Sequence, residues 1–137
     1  MALTDYSSLE GEINDAPEPI VLAKGTEVKA RIINVRVGED KNGVSYFMPV
    51  FDVPAEPLAL EFSDFFHDLV DADKLDEKGK FKAFRKFRAF AQAFGIDYSA
   101  PFEFEDFIGN EGWLIVGYQK DDEYGDKNTV SKYIQGS

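Results

Sequence analysis

One segment of the chain, FKAFRKFRAFAQAFG at residues 81–95, has the hydrophobic period of an α-helix and lies between segments that have the period of β-strands. At 100° per residue, most of its phenylalanine side chains fall on one half of the helix, and its lysine and arginine side chains fall on the other. The pattern predicts a helix over about 80–94, and Gly95 is its natural end. The chain therefore combines one amphipathic helix with several strands.

The chain before this helix contains three predicted strands. TEVKARIINVRV at 26–37 is rich in β-branched residues, and its alternation of apolar and polar residues changes parity at Ile33 and Asn34. A change of one residue is what a β-bulge produces, so we expect a long, bent first strand. Asn42 and Gly43 predict the hairpin turn that follows it.

The remaining strands are shorter. The second, VSYFMPVFDV at 44–53, is apolar on both parities, and Pro49 indicates a bulge or an edge position because it has no amide hydrogen to donate. LALEFSDFF at 58–66 alternates and predicts the third strand. WLIVGYQ at 113–119 and NTVSKYI at 128–134, joined by a glycine-containing turn, predict the fourth and fifth.

The order of three strands, one helix and two strands, with a long bent first strand, is the plan of the OB fold. The sequence therefore predicts an all-β protein, a five-stranded OB-fold Greek-key barrel with an α-helix at about 80–94 between strands 3 and 4. Residues 1–23 carry five acids and no base, and they predict an acidic mobile N-terminal arm. Residues 24–135 form the predicted OB-fold domain.

The chain has no cysteine and one histidine, His67. The absence of cysteine excludes a disulfide framework, a thiolate metal site and a cysteine nucleophile. One imidazole gives little support to Ser-His-Asp chemistry, and no glycine-rich phosphate loop is present. We therefore expect a protein that is not an enzyme and has no metal or cofactor. No apolar run approaches the ~20 residues of a membrane span, so we expect a cytoplasmic protein without a membrane partner.

The net charge of −11 is unevenly distributed. Three windows, 1–23, 64–77 and 97–112, together hold 16 acids and one base. The rest of the chain carries 14 bases against 10 acids. An acidic total therefore leaves room for a local basic groove that binds a polyanion.

Three stretches resemble phage-encoded single-stranded-DNA-binding proteins of OB-fold type. They are GTEVKARIINVRVGEDKNG, the helix ending in FAQAFGI, and FIGNEGWLIVGYQKDDEYGDKNTVSKYI. The resemblance implies a non-catalytic, sequence-independent single-stranded-DNA-binding protein that acts in DNA replication or recombination, in the host cytoplasm if the chain is phage-encoded. It implies single-stranded DNA as the partner, with replication or recombination proteins as further partners, and leaves monomer and dimer open.

Binding single strands without sequence preference requires aromatic rings that stack on bases and cations that follow the phosphates. The predicted strands and their turns supply both kinds of side chain. Within the second strand Tyr46 has one parity and Phe47 and Phe51 have the other, so one of the two sets is expected in the core. The candidate nucleic-acid-binding residues are Lys29, Arg31, Arg36, Lys41, Tyr46, Phe47, Phe51, Trp113, Tyr118, Lys120, Tyr124, Lys127, Lys132 and Tyr133.

Two alternatives remain open at this stage. Single-stranded RNA is an alternative ligand, because rings and cations do not by themselves select deoxyribose. The other alternative is an acidic interaction module that imitates phosphate charge and blocks a nucleic-acid-binding enzyme. A DNA-binding protein needs its cations gathered in one groove, whereas a mimic needs ordered carboxylates spaced like phosphates.

Overall fold

The computed structural model of the protein describes residues 2–135, and Met1, which belongs to the predicted arm, lies outside them. The structure consists of one antiparallel sheet, one long helix and a short N-terminal helix. The strands are β1 (Glu27–Glu39), β2 (Ser45–Asp52), β3 (Phe62–Ser63), β4 (Phe66–His67), β5 (Glu111–Gln119) and β6 (Lys127–Tyr133), and the helices are α1 (Glu10–Asn14) and α2 (Glu77–Phe94).

The sheet is open, and the prediction of an all-β, five-stranded OB-fold barrel is wrong. Its strand order is β3-β2-β1-β5-β6, and β4 pairs with β2 beside β3. Within residues 2–135 no hydrogen-bonded ladder joins β3 to β6, so the sheet does not close. The fold is a mixed α/β arrangement of a six-stranded open antiparallel sheet and the 18-residue helix α2.

Pro49 explains why the predicted third strand is interrupted, which leaves β6 only two-residue strands on the other side of the opening. In an antiparallel ladder the amide and the carbonyl of one residue face the same neighbour. The Pro49 carbonyl accepts a hydrogen bond from the Asp64 amide at 3.2 Å, so the nitrogen of Pro49 faces the same strand with no hydrogen to donate. The segment predicted as one strand over 58–66 is therefore divided into β3 and β4, and Asp64 and Phe65 loop out between them.

Side chains bridge the gap that the divided strand leaves. The Tyr133 hydroxyl of β6 donates a hydrogen bond to Asp64 Oδ2 at 2.6 Å. Lys86 Nζ of α2 donates to Asp64 Oδ1 at 2.9 Å. Asp64 is thus held from two sides, and the sheet edges lie close together without a backbone ladder.

Several local predictions are confirmed. The register of β1 against β2 shifts between Ile32 and Asn34, where the parity of the sequence changes. Gly43 has a φ of +79° in the turn after β1, a conformation that favours glycine. Helix α2 ends at Gly95, which has a φ of +66°, but it begins three residues earlier than predicted. The early start follows from Asp76, whose side chain accepts the Gly79 amide and caps the helix.

The core is built around Phe90, which is fully buried in the middle of α2. Its ring centroid lies 4.8 Å from that of Phe66 in β4 and 5.5 Å from that of Tyr133 in β6. The ring centroid of Phe51 in β2 lies 6.4 Å from that of Phe90. The helix therefore packs on strands from both ends of the sheet order and covers the gap between the edges from one side. Phe87, Phe90 and Phe94 of the helix thus belong to the core, whereas Phe81 and Phe84 are 47% and 39% exposed.

The N-terminal arm contains a short helical segment, a 3₁₀ turn over Ser7–Leu9 that continues into α1, and all of its residues from 2 to 20 are exposed. The chain joins the sheet at Ile20, whose amide donates to the Leu58 carbonyl at 2.8 Å. Asn128, buried in β6, holds the backbone amide and carbonyl of Leu22 at 2.9 Å each. The globular body therefore includes 20–22.

Replacing Tyr133 with Phe tests the bridge to Asp64. The variant loses a hydrogen bond to a carboxylate, so we expect the free energy of unfolding to fall by about 1.5–3 kcal/mol at pH 7. Burial, with the Asp64 charge, raises the pKa of Tyr133 well above its ordinary value of 10.0. The folded protein therefore retains a proton that the unfolded chain releases above pH ~10, and wild-type stability falls there while the variant lacks this loss.

Urea unfolding at several pH values from 7 to 11 measures both effects. The difference in free energy of unfolding between wild type and Tyr133→Phe should be constant near neutral pH and decrease above pH ~10. Tyr124→Phe, at a ring that is 83% exposed, is the control and should match wild type throughout. A difference that does not change with pH would contradict a buried, protonated Tyr133.

Candidate nucleic-acid interface

Two grooves run along β6 on the side where the sheet is open. The first, of about 370 Å³, is lined by residues of β1, β2 and the 61–65 segment together with 127–129 of β6. The second, of about 760 Å³, lies between α2 and residues 130–135. Asp64 lines both grooves, so they adjoin at this residue. We call the two grooves together the β6 trough.

The first groove combines cations with an apolar floor. Arg36 of β1 and Lys127 of β6 stand on its walls, and Met48 and Val50 of β2 form its floor. Within residues 2–135 neither cation has a carboxylate within 4 Å. Glu61 is the acid of this groove besides Asp64. The two cations are therefore available to an anion that enters the groove.

The second groove is strongly cationic. Lys82, Arg85 and Lys86 reach it from α2, and Lys132 reaches it from β6. Lys86 is engaged, because its Nζ donates to Asp64 and lies 4.6 Å from the centre of the Phe66 ring. The other three cations make no ion pair with any residue that the structure describes. Across the whole trough six cationic side chains therefore face two acidic ones.

A pair of aromatic rings, one exposed and one half-buried, lies beside the first groove. Phe65, looped out opposite Pro49, is 38% exposed, and its centroid is 5.1 Å from that of Tyr46. Tyr46 in turn lies across Gly38 of β1, where a Cβ atom would stand 2.5 Å from the tyrosine hydroxyl oxygen. The absence of a side chain at Gly38 therefore leaves space for the Tyr46 ring, and the Tyr46 ring packs against that of Phe65.

Four predicted residues belong to the trough or adjoin it, and four others lie in the turns between strands or next to them. Arg36, Lys127 and Lys132 line the trough, and Tyr46 adjoins it through Phe65. Lys41 lies in the turn between β1 and β2. The remaining three lie at or near the β5–β6 hairpin, next to Lys127, and are Tyr118, Lys120 and Tyr124.

The acids of the β5–β6 hairpin hold the turn together. Asp121 accepts the backbone amides of Glu123 and Tyr124 at 2.9 and 3.0 Å, and these hydrogen bonds lower the pKa of its carboxyl group. Asp126 accepts the Tyr118 hydroxyl, which lowers the pKa of Asp126 and raises that of Tyr118. Tyr124 carries no such contact and is 83% exposed at the tip.

Three predicted residues of β1 and β5 have exposed side chains but lie away from the trough. Lys29 stands directly opposite Trp113, which is 48% exposed. Arg31 makes two hydrogen bonds to Asp52, at 2.6 and 3.1 Å, and this carboxylate raises the pKa of the guanidinium group. Arg31 is therefore already paired, whereas Lys29 and Trp113 form a second exposed cation and ring.

Three predicted residues are in the core. Phe47, Phe51 and Tyr133 are at most 8% exposed. Phe47 stacks on Phe66 and Phe104, with centroids 5.0 and 4.5 Å apart. These rings are not available to stack on a base. Of the two parities in β2, the one that contains Tyr46 is therefore the exposed one.

Sequence reasoning missed Phe65 and the α2 cations as members of one interface. Lys82, Arg85 and Lys86 are recognisable in the sequence as part of the polar half of the helix, but the sequence does not show what that half faces. In the structure Lys86 pairs with Asp64. The signal for Phe65 was Pro49, because an amide missing from β2 predicts a break in the strand beside it.

Comparisons with known proteins leave the family open: no family model matches the chain, and no curated protein matches it. Among residues 2–135 no group of three or more histidine, aspartate or glutamate side chains is arranged to hold a metal ion. In the same residues no helix is long and apolar enough to cross a membrane. The assignment of function therefore depends on the trough.

A pair of substitutions tests the separation of core rings from exposed rings. Phe47→Ala should lower the free energy of unfolding by about 3–5 kcal/mol, because it leaves a cavity among packed rings. Tyr124→Ala should change it by less than about 0.5 kcal/mol. Thermal and urea unfolding, followed by circular dichroism, measure both values. Equal losses in the two variants would mean that the exposures of these rings are misassigned.

Proposed function

We propose that the protein is a non-catalytic, sequence-independent single-stranded-DNA-binding protein, and that the β6 trough is its binding surface. The observation that supports this most strongly is the presence of six cations and the exposed Phe65 ring along two adjoining grooves. Phosphates are bound by such cations, and bases stack on such rings. Point charges and a ring do not read base edges, so binding is independent of sequence.

The net charge of −11 is compatible with this function because many acids of the chain have structural partners. Asp68 and Asp76 accept backbone amides at the starts of helices, and Asp71 accepts the Ser45 amide at 2.8 Å. Asp64 is held by Tyr133 and Lys86. The local electrostatic field, not the net charge of the whole chain, determines where a polyanion binds.

The same contacts weigh against the phosphate-mimic alternative. A mimic needs carboxylates presented to a partner, whereas several carboxylates of the 64–77 window hold backbone amides of this chain. DNA is preferred over RNA because of the sequence resemblance to phage single-stranded-DNA-binding proteins, which also suggests a cytoplasmic role in replication or recombination.

Neutralising two β6 lysines tests the electrostatic part of the proposal. Lys127 and Lys132 stand in different grooves of the trough. In Lys127→Gln/Lys132→Gln, the slope of log affinity for a 30-mer oligothymidine against log salt should decrease by about 1.4, since each phosphate contact contributes about 0.7 on single strands. Affinity at low salt should fall about tenfold or more.

Fluorescence anisotropy across a salt series measures the slope, with an oligouridine 30-mer as a parallel ligand. The matched control is Lys24→Gln/Lys78→Gln, which removes the same charge at exposed sites outside the trough. The proposal fails if wild type binds no oligonucleotide at low salt, or if both double variants lose affinity equally. Preference for oligouridine would replace DNA by RNA.

Removing the Phe65 ring tests the stacking part. Phe65→Ala should weaken binding of oligothymidine by about 1–3 kcal/mol, the contribution of one stacked base, with little change in the salt slope. Phe81→Ala is the control, because Phe81 is 47% exposed on α2 outside the trough. Unchanged affinity in folded Phe65→Ala would remove this ring from the interface.

A further inference from the structure

A separate cavity of about 530 Å³ lies on the far end of β2, between α2, the 3₁₀ helix Leu69–Lys74 and the 98–104 loop. Its wall is mostly aromatic, and several of its rings are partly exposed, among them Phe84, Tyr98 and Phe102. We call it the aromatic pocket. An apolar concavity that is open to solvent marks a place where another apolar surface docks.

The aromatic pocket also carries positive charge. Arg85 and Arg88 of α2 line it, and Arg88 has no carboxylate partner among residues 2–135. Asp68 is its acid, and the Asp68 side chain accepts the Val70 amide at 3.2 Å. The chemistry that fits this pocket is an apolar segment accompanied by carboxylates.

The N-terminal arm has that chemistry. Tyr6, Leu9 and Ile13 are 63%, 44% and 53% exposed, and their spacing places them on one face of the helical segment 7–14. At 100° per residue, Glu10 and Glu12 fall on the two sides of this apolar stripe. Residues 2–19 form hydrogen bonds only among themselves within the described chain. The amphipathic segment is therefore without a partner.

We propose that the aromatic pocket binds the N-terminal helical segment of a second copy of this chain. The apolar stripe fills the aromatic wall, and the flanking glutamates lie near the arginines of α2. Each copy has one arm and one pocket, so two copies exchange arms in a closed, symmetric pair. Arg85 lines both the aromatic pocket and the β6 trough, whereas Arg88 and the arm lie outside the trough. Variants of Arg88 and of the arm therefore test this inference separately from the proposed function.

The attachment of the arm favours a second copy over the arm's own body. Ile20 pairs with Ala59, beyond the end of β2 at which Phe51 lies. Phe47, which lines the pocket, is near the opposite end of β2. At ~3.3 Å per residue, the length of β2 separates these points by roughly 20 Å. The six Cα steps from Asn14 to Ile20 span at most ~22 Å, so an arm places Ile13 at its own pocket only when residues 15–19 are nearly fully extended. An arm from another molecule has no such restriction.

A spin label in the arm distinguishes these arrangements. The chain has no cysteine, and nothing lies within 4 Å of a Cβ atom at Gly11, so Gly11→Cys accepts a nitroxide without a clash. Gly11 also lies on the side of the segment opposite Leu9. Labelled protein is mixed with ¹⁵N-labelled wild type at high concentration. We expect amide signals of 84–88 and 98–104 in the ¹⁵N copy to broaden, and to recover when the nitroxide is reduced.

Variants of the labelled and the ¹⁵N copies test the chemistry of the contact. Leu9→Ser/Ile13→Ser in the labelled copy should abolish the broadening. Arg88→Glu in the ¹⁵N copy should also abolish it, and Glu10→Lys/Glu12→Lys in the labelled copy should restore it against Arg88→Glu. Lys24→Glu in the ¹⁵N copy is the charge control and should leave the broadening unchanged.

Two results would overturn the proposal. The first is no broadening in the mixed sample with both proteins folded by their ¹⁵N spectra. The second is broadening only when nitroxide and ¹⁵N are in the same molecule, diluted with unlabelled wild type, which would assign the pocket to the chain's own arm. Oligothymidine affinity at concentrations below self-association reports on the trough separately, so failure of either proposal is recognised independently.

Discussion

The missing amide hydrogen of Pro49 determines how this sheet ends. Because β2 has no amide hydrogen to donate there, the neighbouring strand divides into β3 and β4. The Asp64 amide still donates to the Pro49 carbonyl, but the side chains of Asp64 and Phe65 take different directions. Asp64 turns toward β6 and α2, where it binds Tyr133 and Lys86. Phe65 turns outward onto Tyr46. One backbone position thus produces both the polar bridge across the open side of the sheet and the exposed ring beside it.

Helix α2 makes this open arrangement stable. Phe90 contacts rings on β2, β4 and β6, so the same helix face is in contact with β6 and with two strands that no ladder joins to it. The helix approaches β5 so closely that a Cβ atom at Gly112 would lie 2.5 Å from the Ala93 carbonyl oxygen. The polar half of the helix then stands beside β6 and supplies its cations to the trough.

Local features of the fold were predictable because they depend on neighbours in sequence. The parity change near Ile33, the turn at Gly43 and the helix ending at Gly95 each follow from residues within a few positions. The third strand was not predictable from its own alternation, because its continuity depends on Pro49 in another strand. The candidate site has the same limit: sequence showed that one parity of β2 is buried, and packing on α2 determines that it is the parity of Phe47.

The lysines of the edge strand β6 have a second explanation, which must be compared with the proposed binding of a single strand in the trough. An edge strand exposes unpaired backbone groups, and lysine side chains there prevent pairing with other chains. Lys127 and Lys132 protect the edge of β6 in this way whether or not their side chains bind a ligand in the trough. Protection of an edge does not, however, require cations on the facing helix, and it disfavours an exposed phenylalanine beside the strand. Lys82, Arg85 and Phe65 are therefore the residues that edge protection leaves unexplained and that binding of a single strand accounts for.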